Sequence, residues 1–372
     1  MMTRIFRKQL SLQRKQALWG WLLISPWLVG MLAFTIFPMI ASLAMSFFQV
    51  SFNPEAVSSV RLTEDGLQTL EQQGVSVEKL RPLLNQKFPS KDALFETLTT
   101  TSGTLEKSAK DAIWNAARKS YFVGATNWKR LLADSELLPA LGRTLQIGAM
   151  IVPGTLLLAV AFAALLHSEH LKGSRMFRCL FYLPAILPIA ATSRIIFGLL
   201  YGWVNYALAQ WFGIKTMGIN GVSWFDNVNL IYYPLALINI WGVGPTMLIV
   251  LAGLQNIPTE LYDAAYVDGA GWWRRFAHIT LPMLSPALFY CVVIAMMGMM
   301  QYFAVPFALA GNASGAPGGA TSFIMIYFIR HLQYGNYGYS SALAWLILLI
   351  SCAIALLLFG TRKFWVYYAN EG

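Results

Sequence analysis

Six long apolar runs constrain this chain more than any other feature of its sequence. They cover roughly 17–48, 139–166, 177–201, 230–254, 283–310 and 340–361. A helix of about 20 apolar residues crosses the hydrocarbon core of a bilayer. Because 57% of the residues are hydrophobic, only 12% are charged and the mean hydropathy is +0.53, a soluble domain could not bury this apolar surface. We therefore expect an all-α membrane protein with six transmembrane helices.

The first run is longer than a bilayer requires, and Pro26 and Pro38 within it predict a kinked or tilted helix. Five basic residues precede it: Arg4, Arg7, Lys8, Arg14 and Lys15. The run is far longer than the about 7–15 apolar residues of a signal peptide. We interpret it as an uncleaved anchor with a cytoplasmic N-terminus.

The positive charge lies beside the apolar runs. The long polar stretch 49–138 holds 11 basic and 11 acidic residues and is neutral. With the N-terminus inside, the inner segments 1–16, 167–178, 255–282 and 361–372 carry 12 Lys and Arg residues, whereas the short outer loops 202–229 and 311–339 carry only Lys215 and Arg330. Lys and Arg accumulate on the cytoplasmic side of membrane proteins. Both termini are therefore predicted to be cytoplasmic.

The polar stretch after the first run predicts a separate extracytoplasmic piece. Residues 52–120 contain helix-start patterns at Ser76 and Ser90 and helical apolar spacing, and Gly103 precedes a last helix at about 105–119. This gives three parts. Residues 1–51 are the cytoplasmic N-terminus and first span, 52–120 a small, mostly helical insertion, and 121–372 a transmembrane core.

The sequence shows no pattern typical of a metal site, a cofactor site or a catalytic site. The three cysteines, Cys179, Cys291 and Cys352, give neither a disulfide framework nor metal-ligand spacing, and the HxxH of His167 and His170 has no further ligand in sight. No GxxxxGK[ST] phosphate-binding loop occurs, so any ATP and Mg²⁺ would be bound by another subunit. We predict no metal site and no cofactor in this chain, and no catalytic residue.

Two outer segments follow the fifth run. Residues 311–320 are glycine-rich and predict a flexible loop. The stretch 322–334 is apolar but interrupted by Arg330 and His331, and it is too short to span. We expect a helix at the outer interface there.

The segment 256–282 is unusually shaped for a connection between two spans. Its first helix is expected to run to about Asp268, with Asn256 or Thr259 as N-cap and Gly269 in the left-handed conformation that ends it. Spacing places Leu261, Ala264, Ala265 and Asp268 on one face, and Trp272 and Trp273 begin a second helix. Such a two-helix segment is either a well-packed connection or a surface by which a partner moves both spans.

The stretch "ELYDAAYVDGAGWWRRFAHITLPMLSP" resembles the EAA loop of binding-protein-dependent ABC importer permeases, in particular the carbohydrate-uptake branch that includes maltose, glycerol-phosphate and lactose permeases. Asp263 stands where the family usually has Glu. The stretches 121–145, 172–188 and 309–348 resemble the same branch in the same order, whereas 52–120 interrupts the likeness. The resemblance implies that Tyr262, Asp263, Ala264, Ala265, Gly269 and Ala270 couple the permease to its ATPase.

The same resemblance implies a solute path. Polar side chains at membrane depth are costly and mark either a path or a helix-to-helix hydrogen bond. The fourth run carries Asn239 and Thr246 and the fifth carries Gln301 and Tyr302. Maltose-type permeases bind sugar through the matching stretches. Asn239 matches these stretches in position and in residue type, whereas Tyr302 and Thr246 match them in position only.

The function implied is that of a permease subunit in the cytoplasmic (inner) membrane, which moves a sugar or related carbohydrate and is not itself an enzyme. Its implied partners are a second, homologous permease, a dimer of ATP-binding cassette subunits, an extracytoplasmic solute-binding protein and membrane lipid, with no nucleic acid. The alternatives are a permease for an amino acid, peptide or phosphate ester, an ion-coupled transporter, and a membrane enzyme. An ion-coupled transporter predicts buried acids in the spans, and all six acids outside 49–138 lie in loops or the tail.

Overall fold

The computed structural model describes residues 12–50, 60–61, 71, 78, 81–83, 86–88, 95–97, 99–100, 121–168, 171–212, 222, 224–310, 313–315 and 317–367. Its α-helices are α1 (Leu12–Met31), α2 (Phe37–Ser46), α3 (Thr126–Leu132), α4 (Leu137–His167), α5 (Ser174–Ile186), α6 (Ile189–Gly198), α7 (Asn205–Phe212), α8 (Tyr232–Trp241), α9 (Gly244–Gln255), α10 (Thr259–Val267), α11 (Trp272–Arg275), α12 (Leu281–Met300), α13 (Ala304–Ala310), α14 (Ile324–Gln333) and α15 (Tyr337–Thr361). The strands are β1 (Phe48–Gln49), β2 (Val60–Arg61), β3 (Lys87–Phe88) and β4 (Tyr121–Phe122). Short 3₁₀ turns lie at Arg81–Leu83 and Arg362–Phe364.

Four continuous helical stretches are long and apolar enough to cross a membrane. They are Gln16–Ser46, Leu137–His167, Trp272–Ala310 and Tyr337–Phe364. Two further candidates are bent pairs, Ser174–Ile186 with Ala191–Trp211 at 104° and Tyr232–Trp241 with Gly244–Gln255 at 51°. The protein is thus mostly helical with four to six candidate spans, and each apolar run falls on one of them.

Local chemistry explains both bends. Between α5 and α6, Leu187 has an extended backbone (ψ 140°), as expected for a residue that precedes a proline. Pro188 is itself extended (ψ 135°) and caps α6. Between α8 and α9, Gly242 leaves the helical region (ψ 24°), and Pro245 occupies the first turn of α9, where a missing N–H breaks no helical bond.

Among the described residues, two of the three π-helical turns precede a proline. The turns at Leu32–Ile36 and Phe276–Thr280 join α1 to α2 and α11 to α12, and the third, Leu199–Val204, joins α6 to α7. The amide of Phe37 bonds to the carbonyl of Leu32, and that of Leu281 to Phe276, five residues back in each case. Pro38 and Pro282 follow directly, and a proline cannot donate to the helical ladder.

The chain forms two compact units, 1–129 with 335–342 and 130–334 with 343–372. In the first, β1 pairs antiparallel with β4, Phe48 opposite Phe122. The buried side chain of Asn127 donates to the carbonyls of Ser46 and Phe48, both at 2.9 Å. A Cβ on Gly338 would lie 2.1 Å from the Phe48 carbonyl, so only glycine fits there. The two ends of the predicted insertion are therefore held side by side.

The insertion itself is described only in part. β2 pairs antiparallel with β3, and residues 95–97 and 99–100 are helical. The expected helix starts at Ser76 and Ser90, and the expected helix at about 105–119, lie outside the described residues. The mostly helical character of 52–120 stays a prediction.

The second unit contains two buried apolar clusters. One includes Ile147, Leu235 and Phe323, and the other includes Met247 and Leu284. The bent α8–α9 pair contributes to both. A Cβ on Gly244 would lie 2.6 Å from the carbonyl oxygen of Phe181, so α5 and α9 cross with their backbones in contact. Helices approach this closely only where one of them has no side chain.

Candidate functional site

The connection between α9 and α12, residues 256–282, folds as two short helices that we call the elbow. Its first helix, α10, ends in a Schellman motif. Gly269 has φ +72°, its amide donates to the carbonyl of Tyr266 (3.0 Å), and the amide of Ala270 donates to the carbonyl of Ala265 (2.9 Å). The left-handed Gly269 was predicted from the sequence and is observed. It fixes the angle at which the chain leaves α10.

The start of α10 differs from the sequence-based expectation. Neither Asn256 nor Thr259 caps the helix through its side chain, and the N-cap position is Pro258, whose backbone is extended (ψ 132°). Thr259 is already the first helical residue, and Asn256 is the C-cap of α9. An N-cap needs non-helical backbone angles, and here proline supplies them. The helix ends at Val267, one residue before the predicted end.

The elbow is attached to the spans by polar and apolar contacts. The hydroxyls of Tyr262 and Thr280 are hydrogen-bonded at 2.9 Å, across 18 residues of sequence. Ile257 is buried in the apolar cluster around Met247, and Tyr262 and Ile279 pack against the same cluster. A displacement of α10 therefore acts on both α9 and α12.

The opposite face of α10 is open. Leu261, Asp263, Ala264 and Asp268 are exposed, whereas Ala265 and Ala270 are half-buried. Val267 is 85% exposed and Tyr266 is 72% exposed. Small side chains between larger exposed apolar ones form a shallow notch that a second protein surface can approach closely. Among the six predicted coupling residues, Tyr262 packs against the spans.

The second half of the elbow is stiffened by aromatic rings. The Trp272 ring stacks on Phe276 with centroids 5.4 Å apart and planes 10° from parallel, and Trp273 meets Trp272 edge-on at 4.5 Å. The Arg275 guanidinium lies 5.8 Å from the Tyr266 ring centroid, which connects the second helix to the first. Contacts of this kind each stabilise by about 0.5–1.5 kcal/mol and hold the two helices at one angle.

Two of the four predicted path residues meet within the spans. The Asn239 side chain donates to the hydroxyl of Tyr302 (2.8 Å) and to the carbonyl of Leu235 (2.7 Å). Tyr302 is 5% exposed, and its ring lies 5.3 Å from that of Phe323. A half-buried amide and a buried phenol facing each other form a small polar centre in apolar surroundings, where hydrogen bonds are strong and unpaired groups costly.

The other two predicted path residues lie elsewhere. Gln301 caps the end of α12 with an exposed side chain, and Thr246 is half-buried in the first turn of α9, beyond the 51° bend. In the part of the chain that the structure describes, no hydrogen bond joins either of them to the Asn239–Tyr302 pair. Of the four predicted path residues, the structure thus brings Asn239 and Tyr302 together.

The stretch 322–334 forms α14, as expected, and α14 is pinned by polar contacts. Arg330 forms an ion pair with Glu136 (3.0 Å) and donates to the carbonyl of Ala313 (3.0 Å) and the hydroxyl of Ser322 (2.7 Å). Tyr327, which is fully buried, donates to the Asp134 carboxylate. These contacts join α14 and the loop before it to the residues that lead into α4.

The same surroundings act on His331. Its ring meets Tyr327 edge-on at 4.7 Å. The pKa of His331 is lowered from 6.5 to about 4, mainly by burial and then by the positive charges of Arg130 and Arg330, against the opposite effect of Asp134 and Glu136. His331 is therefore neutral at pH 7, and its protonation opposes the packing of α14.

Sequence reasoning found the residues of the elbow and of the polar pair but not their partners. Thr280 was named only within the stretch that resembles the EAA loop, and nothing local marks Glu136 and Asp134. They lie 18, 194 and 193 residues from the groups they bind.

Taken together, long apolar helices, a rigid elbow with one exposed face and a buried polar pair define a multi-span helical membrane protein built for transport. Residues 155–368 match the family described as binding-protein-dependent transport system inner membrane component. The match covers more than half of the chain, and the chain belongs to this family. It is an inner-membrane transport subunit and not an enzyme.

Relatives and solved structures agree with this assignment. The chain is 29% identical to the probable ABC transporter permease protein YesP of Bacillus subtilis over 96% of this chain and 94% of that one. It is 32% identical to the trehalose/maltose transport system permease protein MalF of Thermococcus litoralis, over 64% of this chain and 80% of that one. A bacterial alginate ABC transporter, solved with a periplasmic protein that holds an alginate pentasaccharide, shares the fold at TM-score 0.59 and 18% identity over 94% of this chain.

Proposed function

We propose that this chain is one of two permease subunits of a carbohydrate importer. The observation that carries the cargo class is the 32% identity to a permease named for trehalose and maltose, together with the buried amide–phenol pair. Sugar hydroxyls leave water only where donors and acceptors replace it. Asn239 and Tyr302 supply both, and a sugar hydroxyl can insert between them.

The proposed assembly contains a second, homologous permease, two copies of an ATP-binding cassette subunit and an extracytoplasmic solute-binding protein. Six spans with both termini in the cytoplasm place the elbow on the ATPase side and α14 on the binding-protein side. ATP and Mg²⁺ are held by the ATPase subunits. The 52–120 insertion lies outside and contacts the binding protein.

The proposed mechanism is mechanical. The exposed face of α10, with Asp263, Ala264 and Gly269, sits in a groove of the ATPase, and closure of the ATPase pair on ATP moves the elbow. The Tyr262–Thr280 bond and the buried Ile257 pass that movement to α12 and α9. Since α9 continues into α8, which carries Asn239, the same movement opens the polar pair to the outer side. Hydrolysis then resets the assembly.

The test of cargo is uptake by the purified assembly in proteoliposomes. We expect accumulation of at least one of radiolabelled maltose, trehalose and arabinotriose, dependent on ATP and on the binding protein. Leucine, a dipeptide and glycerol 3-phosphate are run in parallel. Uptake confined to one of these three would replace the carbohydrate assignment.

The test of coupling uses two neighbouring glycines. A Cβ has open space at both Gly269 and Gly271, but only Gly269 has a left-handed backbone (φ +72°), whereas Gly271 is extended (φ −66°, ψ 168°). A left-handed L-residue costs about 1–2 kcal/mol, and a β-branched one more. We expect Gly269→Val to lower binding-protein-stimulated ATP hydrolysis and uptake roughly tenfold in an assembled complex, and Gly271→Val to leave both within twofold. Full uptake by Gly269→Val would refute the coupling role.

A further inference from the structure

A cavity of about 200 Å³ opens in the second unit, and its lining does not include Asn239 or Tyr302. It is lined by Phe197, Phe225, Asp226, Leu235, Pro306 and Thr321, among others. An apolar cavity with one carboxylate and one buried hydroxyl at its wall has the composition of a small-molecule site. None of the roles proposed above uses it.

Aromatic rings form one wall of the cavity. Phe197, Tyr201 and Phe225 are nearly parallel, with centroids 4.5, 5.4 and 6.1 Å apart and planes within 25° of each other. Phe197 and Phe225 line the cavity. Such rings offer the broad, flat apolar surface against which the C–H face of a sugar ring packs.

The carboxylate beside these rings is held in place by the helix that carries them. Tyr201, in the π turn between α6 and α7, donates to Asp226 at 3.3 Å and accepts from the amide of Phe225 at 3.3 Å. One turn later Asn205 accepts from the indole N–H of Trp224 at 2.8 Å and donates to the carbonyl of Val222. The loop before α8 is thus clamped at several points, and Asp226 has a fixed position on an otherwise exposed loop.

The cavity lies next to the Asn239–Tyr302 pair, because its wall includes residues one helical turn from each of the two. Leu235, in its wall, is the residue whose carbonyl accepts from Asn239, one turn along α8. Pro306, also in its wall, lies four residues after Tyr302. In the proposed topology, Leu235 lies nearer the outer end of its span than Asn239 does, and Pro306 lies nearer the outer end than Tyr302 does. The cavity therefore lies one helical turn, about 5.4 Å, outside the pair along the same route.

We propose that this cavity is an outer subsite of the solute path, which receives one neutral sugar ring before the ring reaches Asn239 and Tyr302. The inference deepens the proposed function and rests on it. The ring packs on Phe197 and Phe225 and donates a hydroxyl to Asp226. A volume of about 200 Å³ is below the about 300–1,000 Å³ of sites for drug-sized ligands, so it holds a single ring. The Asp226 carboxylate disfavours an anionic sugar acid at the same place.

The test measures sugar translocated per ATP hydrolysed in the complete assembly, with saturating binding protein and the best transported of maltose, trehalose and arabinotriose. Asp226→Asn keeps the size of the side chain and removes its charge, and Phe197→Leu keeps an apolar side chain and removes the ring. If the outer subsite does not bind the sugar, the ATPase still completes its cycle but no sugar is transported in that cycle. We expect either variant to lower sugar per ATP roughly five- to tenfold, with stimulated ATP hydrolysis within twofold of wild type.

Matched controls separate the subsite from a general effect on the outer loop. Asn229 is an exposed polar residue three positions after Asp226, and Tyr233 is an exposed aromatic residue outside the cavity lining. Asn229→Ala and Tyr233→Leu should leave sugar per ATP unchanged. Unaltered sugar per ATP in Asp226→Asn and Phe197→Leu overturns the subsite alone. An equal loss of sugar uptake and ATP hydrolysis overturns it in favour of a structural role. Failure of wild-type protein to transport any of the three sugars overturns the proposed cargo and the subsite together.

Discussion

At the scale of single residues, the Asn239–Tyr302 hydrogen bond joins polar groups from two different spans. Asn239 uses one side-chain nitrogen for both Tyr302 and the Leu235 carbonyl. A net contribution of about 0.5–1.5 kcal/mol per hydrogen bond is small compared with the cost of leaving either group unpaired in apolar surroundings. A passing sugar hydroxyl can replace one of these bonds without leaving a group unpaired, so the pair is suited to transient binding.

His331 makes the stability of the second unit dependent on pH. Its pKa is lowered to about 4 in the folded protein from 6.5 when unfolded. The unfolded state therefore binds a proton as the pH falls below about 6.5 while the folded state does not, so stability is lost between about pH 6.5 and pH 4 and levels off below it. We expect the apparent Tm of the detergent-solubilised complex to decrease as the pH is lowered over this range. In His331→Gln this decrease in Tm should be smaller than in wild type.

The control for this experiment is His278, which is exposed on the elbow and contacts the Arg274 carbonyl. His278→Gln should leave the pH dependence of the Tm as in wild type. An identical slope in His331→Gln and wild type would show that other groups govern the loss of stability in acid.

Residue identities were predictable from the sequence where local chemistry dictates them. Gly269 is required because no other residue so readily takes φ +72° at a helix end. Asn239 stands out as an amide within an apolar run. The partners of these residues were not predictable, since Tyr302 lies 63 residues beyond Asn239 and only the packing of α8 against the end of α12 brings them together.

At the scale of helices, the elbow is stiff because each of its ends is bonded to a different span. α10 follows α9 with only three residues between them, and α11 continues through a π turn into α12. The Tyr262–Thr280 hydrogen bond links the first helix of the elbow to the end of the elbow. A rigid connector transmits displacement without loss, whereas a flexible one would absorb it.

The Tyr262–Thr280 bond predicts a non-additive pair of substitutions. Tyr262→Phe and Thr280→Val each remove one hydroxyl and should each lower the stability of the complex by about 0.5–1.5 kcal/mol. The double variant should lose little more than the larger single effect, because the second hydroxyl no longer has a partner. Apparent Tm and sugar per ATP are measured for all three. Tyr266→Phe, whose ring is largely exposed on the same helix, is the matched control and should keep the wild-type Tm. Fully additive losses would mean that the two hydroxyls act independently.

The apolar runs predicted the spans because length and hydropathy alone decide whether a helix can cross a bilayer. The bends within two of them were marked by Pro188 and Gly242, but their angles depend on the neighbouring helices. The expected cap at Asn256 or Thr259 was wrong because the neighbouring proline was not considered as the capping residue itself.

At the scale of the whole molecule, the chain supplies moving parts and leaves the source of energy to its partners. A phosphate-binding loop is missing from its sequence, and no cluster of metal-ligating side chains occurs among the described residues. In the first unit, the β1–β4 pair holds the ends of 52–120 together, so the insertion can vary without disturbing the helices it interrupts. The docking of partner subunits depends on surfaces that no single sequence describes.

The orientation of the whole chain is the prediction on which coupling depends. Six spans with cytoplasmic termini place Val267, 85% exposed on the elbow, inside the cell and Asn229, exposed in the loop before α8, outside. In a background without Cys179, Cys291 and Cys352, we expect Val267→Cys to react with a membrane-impermeant maleimide only in inverted vesicles, and Asn229→Cys only in intact spheroplasts. Each variant serves as the sidedness control for the other, and detergent should make both reactive. Labelling of Val267→Cys in intact spheroplasts would place the elbow outside the cell, where no ATPase can reach it. The orientation predicted from the Lys and Arg residues beside the spans would then be wrong.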